Sequence, residues 1–258
     1  MTKGIIIPAR HDAIRIVPLH RPDAVKTAEA LAAAAPLLTY RGGPLLTNVE
    51  VFTIFWGSSW QRTDQGTILA EINAFFDFIL TSPLLTQLGE YSVAGKTIGS
   101  GKRVGSAIVI SPKIKNMTTD TAIQHMLQTE IANNPAVPQP GPNTLYFVYL
   151  PPGVRVVAFG ASSCQAFCGY HSDFASQIFY AAMPYPGCPG CLGGLSSIDA
   201  LTSTSSHELC EAITDPTPGL SWYDDLNGEI GDICAWTTKK MGNYTVQLEW
   251  SNAAGSCV

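Results

Sequence analysis

The sequence predicts a single α/β (α+β) domain built on a mixed, twisted sheet. Three observations carry this expectation. Residues 49–56, 145–150 and 178–183 are dense in β-forming side chains and read as buried strands. Residues 65–80 and 197–214 place apolar side chains at helical spacing. The two kinds of segment interleave along the chain, as they do in layered α/β folds.

Taken in order, residues 1–45 read as an extended lead-in to a domain over 46–258. The lead-in holds Pro8, Pro18, Pro22 and Pro36, with an alanine-rich piece at 28–35 that reads as a short helix. Arg41-Gly42-Gly43-Pro44 is a turn signal. After the strand at 49–56, Thr63-Asp64 is expected to cap a helix whose apolar stripe is Ile68, Leu69, Ile72, Phe75, Phe76 and Ile79. Pro83 ends it, and a second short helix runs to about Gly89. A strand follows at 104–110. Thr119-Asp120 caps a helix to about 132, which Pro135 and Pro138 end. Strands are expected at 145–150, 154–159, 167–171 and 178–183, then a Gly/Pro/Cys loop at 184–194. Ser196 or Ser197 caps the helix at 197–214, which Asp215-Pro216 stops. A last strand is expected at 244–250.

Composition excludes several function classes. Apolar residues make up 46% and charged residues 14% of 258, against about 25% charged in an ordinary soluble domain. That is not a disordered chain. The net charge is −5 with 15 Lys+Arg and no basic run, so nothing neutralises a phosphate backbone and no nucleic-acid partner is expected. No apolar stretch approaches the roughly 18 residues of a membrane span, and the N-terminal apolar run is too short for a signal peptide.

The low lysine content, 23 Gly, 18 Pro and 7 Cys suit a loop-rich secreted or extracellular protein. Cys210 lies in the strongest helical pattern and is expected to be free. The expected pairs are Cys164–Cys168, Cys188–Cys191 and Cys234–Cys257. A rival reading is a structural zinc bound by Cys164, Cys168, Cys188 and Cys191.

The segment that carries chemistry is His207-Glu208-Leu209-Cys210-Glu211. On a helical wheel with His207 at zero, Glu211 falls at about 40°, Asp215 at about 80° and Glu208 at about 100°. Ile198, Leu201, Leu209, Ala212 and Ile213 lie opposite, facing a core. A solvated helix face normally pairs opposite charges one turn apart, but Glu208, Glu211 and Asp215 have no nearby Lys or Arg. Three carboxylates around one imidazole are unfavourable without a cation. His207 and Glu211 can reach one ion, as the i, i+4 histidines of H-E-x-x-H do, and zinc accepts a carboxylate oxygen in place of the second histidine. Glu208 is then placed to act as general base on a metal-activated water.

A third ligand is needed. Asp232 is favoured because a disulfide at Cys234 would fix its backbone, and Glu229 is next. Asp215 reads more simply as a helix-end residue. His171 and Tyr223 are the candidates for stabilising an oxyanion, with His171 equally readable as a satisfied core histidine. Gly99-Ser100-Gly101-Lys102 lacks full phosphate-loop spacing, and no G-x-S-x-G elbow accompanies the serines before His207.

Arg41-Gly42-Gly43-Pro44-Leu45-Leu46, the stretch from Val51 to Trp60, and Phe167-Cys168-Gly169-Tyr170-His171 resemble the phosphate-induced protein 1 (EXORDIUM-like) family, over most of 40–258. Ser206 to Pro216, followed by Trp222-Tyr223-Asp224 and Glu229-Ile230-Gly231-Asp232, resembles its microbial members, which carry the zincin-like HExxE motif. The resemblance implies secretion and a cell-wall or extracellular setting. The plant members lack the His-Glu pair, which implies that the fold also serves non-catalytic roles. The element order is also similar to the zincin metallopeptidase half-domain. On that analogy 65–80 is the backing helix, and 167–183 includes the strand that binds an extended peptide.

The expectation is therefore a zinc metallopeptidase acting on a peptide or protein substrate. Zn²⁺ would be held by His207, Glu211 and Asp232 or Glu229. The alternatives are a non-catalytic extracellular signalling or wall-binding protein with a structural ion, Ca²⁺ included, and a carbohydrate hydrolase using Glu208 and Glu211.

Overall fold

The computed structural model describes residues 16–21, 35–175 and 178–258. Its centre is a six-stranded mixed sheet. In chain order the strands are β1 (Ile16–Pro18), β2 (Glu50–Trp56), β3 (Lys102–Val109), β4 (Thr144–Tyr149), β5 (Phe167–Phe174) and β6 (Ile178–Met183). Across the sheet the order is β1-β5-β6-β4-β2-β3. The pairs β6/β4, β4/β2 and β2/β3 are parallel, whereas β1/β5 and β5/β6 are antiparallel.

Three long helices cover the sheet: α1 (Thr63–Ile79), α2 (Asp120–Asn133) and α3 (Ser197–Thr214). The two-residue period of β2 and β4 sends alternate side chains into separate cores. Val51, Phe55, Leu145, Phe147 and Tyr149 meet Ile72, Phe75 and Phe76 of α1 and Leu209, Ala212 and Ile213 of α3. Phe52, Ile54, Tyr146 and Val148 meet Ile123, Met126, Leu127 and Ile131 of α2 on the other face. The mixed α/β architecture is as expected, and α2 makes it three layers. Strands buried on both faces read as continuous apolar runs rather than alternating ones, which is why β2 and β4 were plain in the sequence.

Local chemistry explains most boundaries. Ser196 caps α3, its Oγ accepting from the Asp199 N–H at 3.2 Å, and Thr119 caps α2 through the Ala122 N–H at 3.2 Å. The Thr63-Asp64 cap of α1 is not formed. Arg62 occupies the cap position with no side-chain bond, and Asp64 sits in the first turn, where a negative charge suits the helix dipole. The expected strand at 244–250 is broken. Its first part, Tyr244–Gln247 (β8), forms a hairpin with Thr238–Met241 (β7), and Trp250–Ser251 pairs with Ser256–Cys257.

The lead-in is partly built into the fold. Ile16–Pro18 joins the main sheet, and Thr39–Tyr40 pairs with Trp222–Tyr223. The expected helix at 28–35 lies outside the described residues except for Ala35.

The cysteines pair as Cys164–Cys188, Cys168–Cys191 and Cys234–Cys257. The last is as expected, and Cys210 is free and buried. The two local pairings are corrected, and the four-thiolate zinc reading falls with them. One helical turn, Pro189–Leu192, lies inside the expected loop. It carries Cys188 and Cys191 against the end of β5, where Cys164 and Cys168 meet them around Val17. Disulfides of this kind belong to oxidising compartments. Among the described residues, no single helix is long and apolar enough to cross a membrane.

Candidate metal centre

Helix α3 is buried on all sides from Ala200 to Thr214, not only along its apolar stripe. Several of its hydroxyls are bonded at close range. Ser206 Oγ donates to the Ser203 carbonyl at 2.8 Å, Thr202 Oγ1 to the Thr245 carbonyl at 2.8 Å, and Ser205 bonds Tyr149 at 2.6 Å. This lets a Ser/Thr-rich helix pass through the interior and carry its motif inward.

His207, Glu208 and Glu211 are 0% exposed, as are His171 on β5 and Glu229 on the loop after β-strand Trp222–Tyr223. Two glycines permit the approach. A Cβ on Gly169 would lie 2.8 Å from Thr204 Cγ2 and 3.1 Å from Glu208 Oε1, so β5 comes closer to α3 than any side chain would allow. A Cβ on Gly231 would lie 2.8 Å from His207 Nδ1 and 2.9 Å from Glu211 Oε1.

His171 is the hub. Its Nε2 lies 3.2 Å from the Asp215 carbonyl, which only accepts, so this nitrogen carries a proton. Its Nδ1 faces Glu208 Oε2 at 3.1 Å and Glu211 Oε2 at 3.4 Å. Glu229 Oε1 lies 3.4 Å from Nε2. On the other side, His207 Nε2 is 2.9 Å from Glu211 Oε1. That contact is short but misaligned, and His207 Nε2 makes no hydrogen bond. Glu211 Oε2, Glu208 Oε1 and both oxygens of Glu229 also lack hydrogen-bond partners. A buried, unpartnered polar atom is costly. Several of them converging, with an imidazole and a carboxylate close but not bonded, is how groups aimed at a common third atom are arranged.

Two groups of donor atoms lie within 4.8 Å of one another: His171, Glu211 and Glu229, and His207, Glu211 and Asp232. Both sequence candidates for the third ligand, Asp232 and Glu229, thus reach the motif, from opposite sides of Glu211. Asp232 is held by its own backbone. Its N–H donates to Glu211 Oε1 at 3.1 Å, and its Oδ2 accepts from the Glu229 N–H at 3.0 Å.

Asp215 takes the helix-end role. Its carboxylate accepts from the backbone N–H groups of Gly219, Leu220 and Ser221 at 2.6, 3.1 and 2.6 Å. Tyr223 pairs with Thr39, and the Arg41 guanidinium lies over its ring 4.6 Å from the centroid.

The electrostatics follow from burial. Among the described residues, the ion pairs of Glu208, Glu211 and Glu229 are with His171 and His207 alone. Burial opposes charging His171, but Glu229, Glu208 and Glu211 outweigh it and hold its pKa well above the usual histidine value. For His207 burial is likewise outweighed, chiefly by Glu211. The two imidazoles draw the Glu211 carboxyl down to about 2 against its own burial. Glu208, Glu229 and Asp232 are pushed up by burial.

The sequence reading missed Gln247 and Glu249. Gln247 Nε2 donates to His207 Nδ1 at 2.8 Å and to the Gly231 carbonyl at 2.9 Å, while its Oε1 accepts from the Trp236 N–H at 3.1 Å. Glu249 is fully buried with both oxygens unpartnered. The alternation Val246-Gln247-Leu248-Glu249 was the available signal.

The outer edge of β5 is not free. β1 lies along it, pairing Ile16 with Tyr170 and Val17 with Gly169, the residue pressed against Glu208. Beyond β1, the His20 N–H donates to the Gly190 carbonyl at 2.7 Å, and Trp236 Nε1 donates to the Pro18 carbonyl at 2.8 Å. A surface cavity of about 540 Å³, lined by Pro44, Lys96, Pro140 and Asn143 among others, does not include the cluster.

No family profile and no solved structure matches the chain. It is similar to the Arabidopsis thaliana protein EXORDIUM-like 5, 24% identical over 239 residues, covering 76% of this chain and 63% of that protein. The chain therefore spans less than two thirds of the relative's length, and the likeness supports a relation to the EXORDIUM-like proteins that the motifs at 41–60 and 167–171 resemble.

Proposed function

We propose that the protein is a secreted, zinc-dependent hydrolase of the HExxE peptidase type, of the microbial EXORDIUM-like kind, acting on peptide bonds. The observation that supports it is the convergence of His171, His207, Glu208, Glu211, Glu229 and Asp232 in the interior, with no Lys or Arg ion pair to them among the described residues. The donor set fits zinc, which takes imidazole nitrogen and carboxylate oxygen at about 2.0–2.2 Å. Glu211 and His207 would hold the ion with Asp232 or Glu229. Bound there, zinc would supply Lewis-acid polarisation and a lowered water pKa.

The remaining chemistry belongs to the protein. Glu208 is the base, because its Oε1 has no other partner and burial raises its proton affinity. With a single zinc on the His207 side, His171 would hold Glu208 in place through Nδ1. A peptide lying along β5 in the zincin manner would take the place that β1 holds, so on this reading the N-terminal strand must leave before substrate enters.

Full burial favours a second reading, in which the ion is structural and the protein is a non-catalytic extracellular binding or signalling protein. A carboxylate-rich set also suits Ca²⁺. The test is Glu208→Gln in zinc-loaded protein against a peptide library. Retained zinc with turnover reduced by about 10²-fold or more supports the peptidase reading. Zinc held by a wild-type protein that cleaves nothing, even with β1 displaced, supports the structural ion.

A further inference from the structure

We propose that the centre takes two divalent cations bridged by the Glu211 carboxylate, one on the His171–Glu229 side and one on the His207–Asp232 side. This rests on the cation reading above and goes beyond its single zinc.

The two oxygens of Glu211 face opposite imidazoles. Oε1 is 2.9 Å from His207 Nε2, and Oε2 is 3.4 Å from His171 Nδ1. Glu211 is the member common to both three-residue donor groups. One ion on either side would leave the other side's buried donors orphaned. With the ion on the His207 side, both Glu229 oxygens remain buried and unpartnered, and with it on the His171 side, His207 Nε2 does. Ions about 3.5–4 Å apart are the usual spacing of two-metal hydrolytic sites.

Each side has its own support. His171 Nε2 donates to the Asp215 carbonyl at 3.2 Å, the outer bond that metal-ligating histidines make, while its Nδ1 faces Glu208 Oε2 at 3.1 Å and Glu211 Oε2 at 3.4 Å. On the other side Gln247 Nε2 bonds His207 Nδ1 at 2.8 Å and the Gly231 carbonyl at 2.9 Å, which leaves His207 Nε2 turned toward Glu211.

The test is a zinc titration against a competing chelator, with Mn²⁺ electron paramagnetic resonance as a second readout. Wild type is expected to bind two ions per chain and to show an exchange-coupled Mn²⁺ pair. Glu229→Gln and Asp232→Asn should each bind one ion and show an uncoupled signal. Zinc anomalous scattering from wild-type crystals asks the same question without a variant. One ion per chain in wild type, with a single anomalous peak, overturns the two-ion proposal and leaves the single-zinc reading standing. No ion at all removes both.

Discussion

His171 and Glu211 come from different layers, one on β5 and one on α3, yet Nδ1 of the first lies 3.4 Å from Oε2 of the second with both side chains fully buried. A sheet strand and a helix bring an imidazole and a carboxylate together in the interior, and three more acids close around them. Such a cluster is unfavourable unless something positive occupies it.

Gly231 tests how tightly the cluster is set. A methyl group there meets His207 Nδ1 and Glu211 Oε1, and those atoms are tied to Gln247 and to the Asp232 N–H. Gly231→Ala is expected to cost about 1–3 kcal/mol by overpacking and to weaken zinc binding about tenfold or more. Zinc titration and thermal melting check this, and unchanged affinity would mean that the cluster has slack.

β1 covers the outer edge of β5. Val17 is buried among Cys168, Cys191 and Trp236, so Val17→Asp buries an unpaired charge and should release the strand. Hydrogen exchange at the edge amides of residues 167–170 should quicken, and turnover of an unstructured peptide by the zinc-loaded protein should rise. Faster exchange without any turnover would favour the structural ion.

The disulfide Cys168–Cys191 fixes the strand that carries His171. It closes a loop with a sequence separation of 23, for which chain entropy gives about 3–4 kcal/mol. The double variant Cys168→Ser/Cys191→Ser should lose stability of that order in denaturant unfolding and bind zinc more weakly. A loss confined to stability would place the bond outside the support of the centre.

Asp199 gives a pH dependence away from the cluster. Lys240 at 2.8 Å, with Thr245 and Ser196, draws its carboxyl down to about 2. Its native pKa thus lies below the unfolded value of about 3.9. The contribution is full above that value and is lost as pH falls through about 2. Because Lys240 is largely exposed and salt screens the pair, the effect should stay below about 1 kcal/mol. Comparing unfolding of wild type and Asp199→Asn at pH 6 and pH 2 checks the sign. The difference should shrink in acid.

Much of this was legible because local rules and tertiary packing agree. The bounds of α3 follow from the Ser196 cap and the Asp215-Pro216 stop, and the i, i+4 pair His207/Glu211 needs only the helix. Convergence of Glu229 and Asp232 on that pair follows from the chain's return after α3. The rest needed three dimensions. The hydroxyls of α3 are buried through bonds to Thr245, Ser203 and Tyr149, partners that only the folded chain supplies. Cys164 and Cys168 are close in sequence, but the turn at Pro189–Leu192 offers them nearer partners in space. Tyr223 shares its segment with acidic residues, but a two-residue strand turns it toward Arg41. β1 pairs with a strand some 150 residues later, for which no local signal exists.

The most direct measurement is elemental analysis of the purified protein, as wild type and as His207→Ala. The account predicts zinc at one to two ions per chain in wild type and a clear loss in the variant. A wild-type protein that holds no divalent metal, even after zinc is added back, would contradict it.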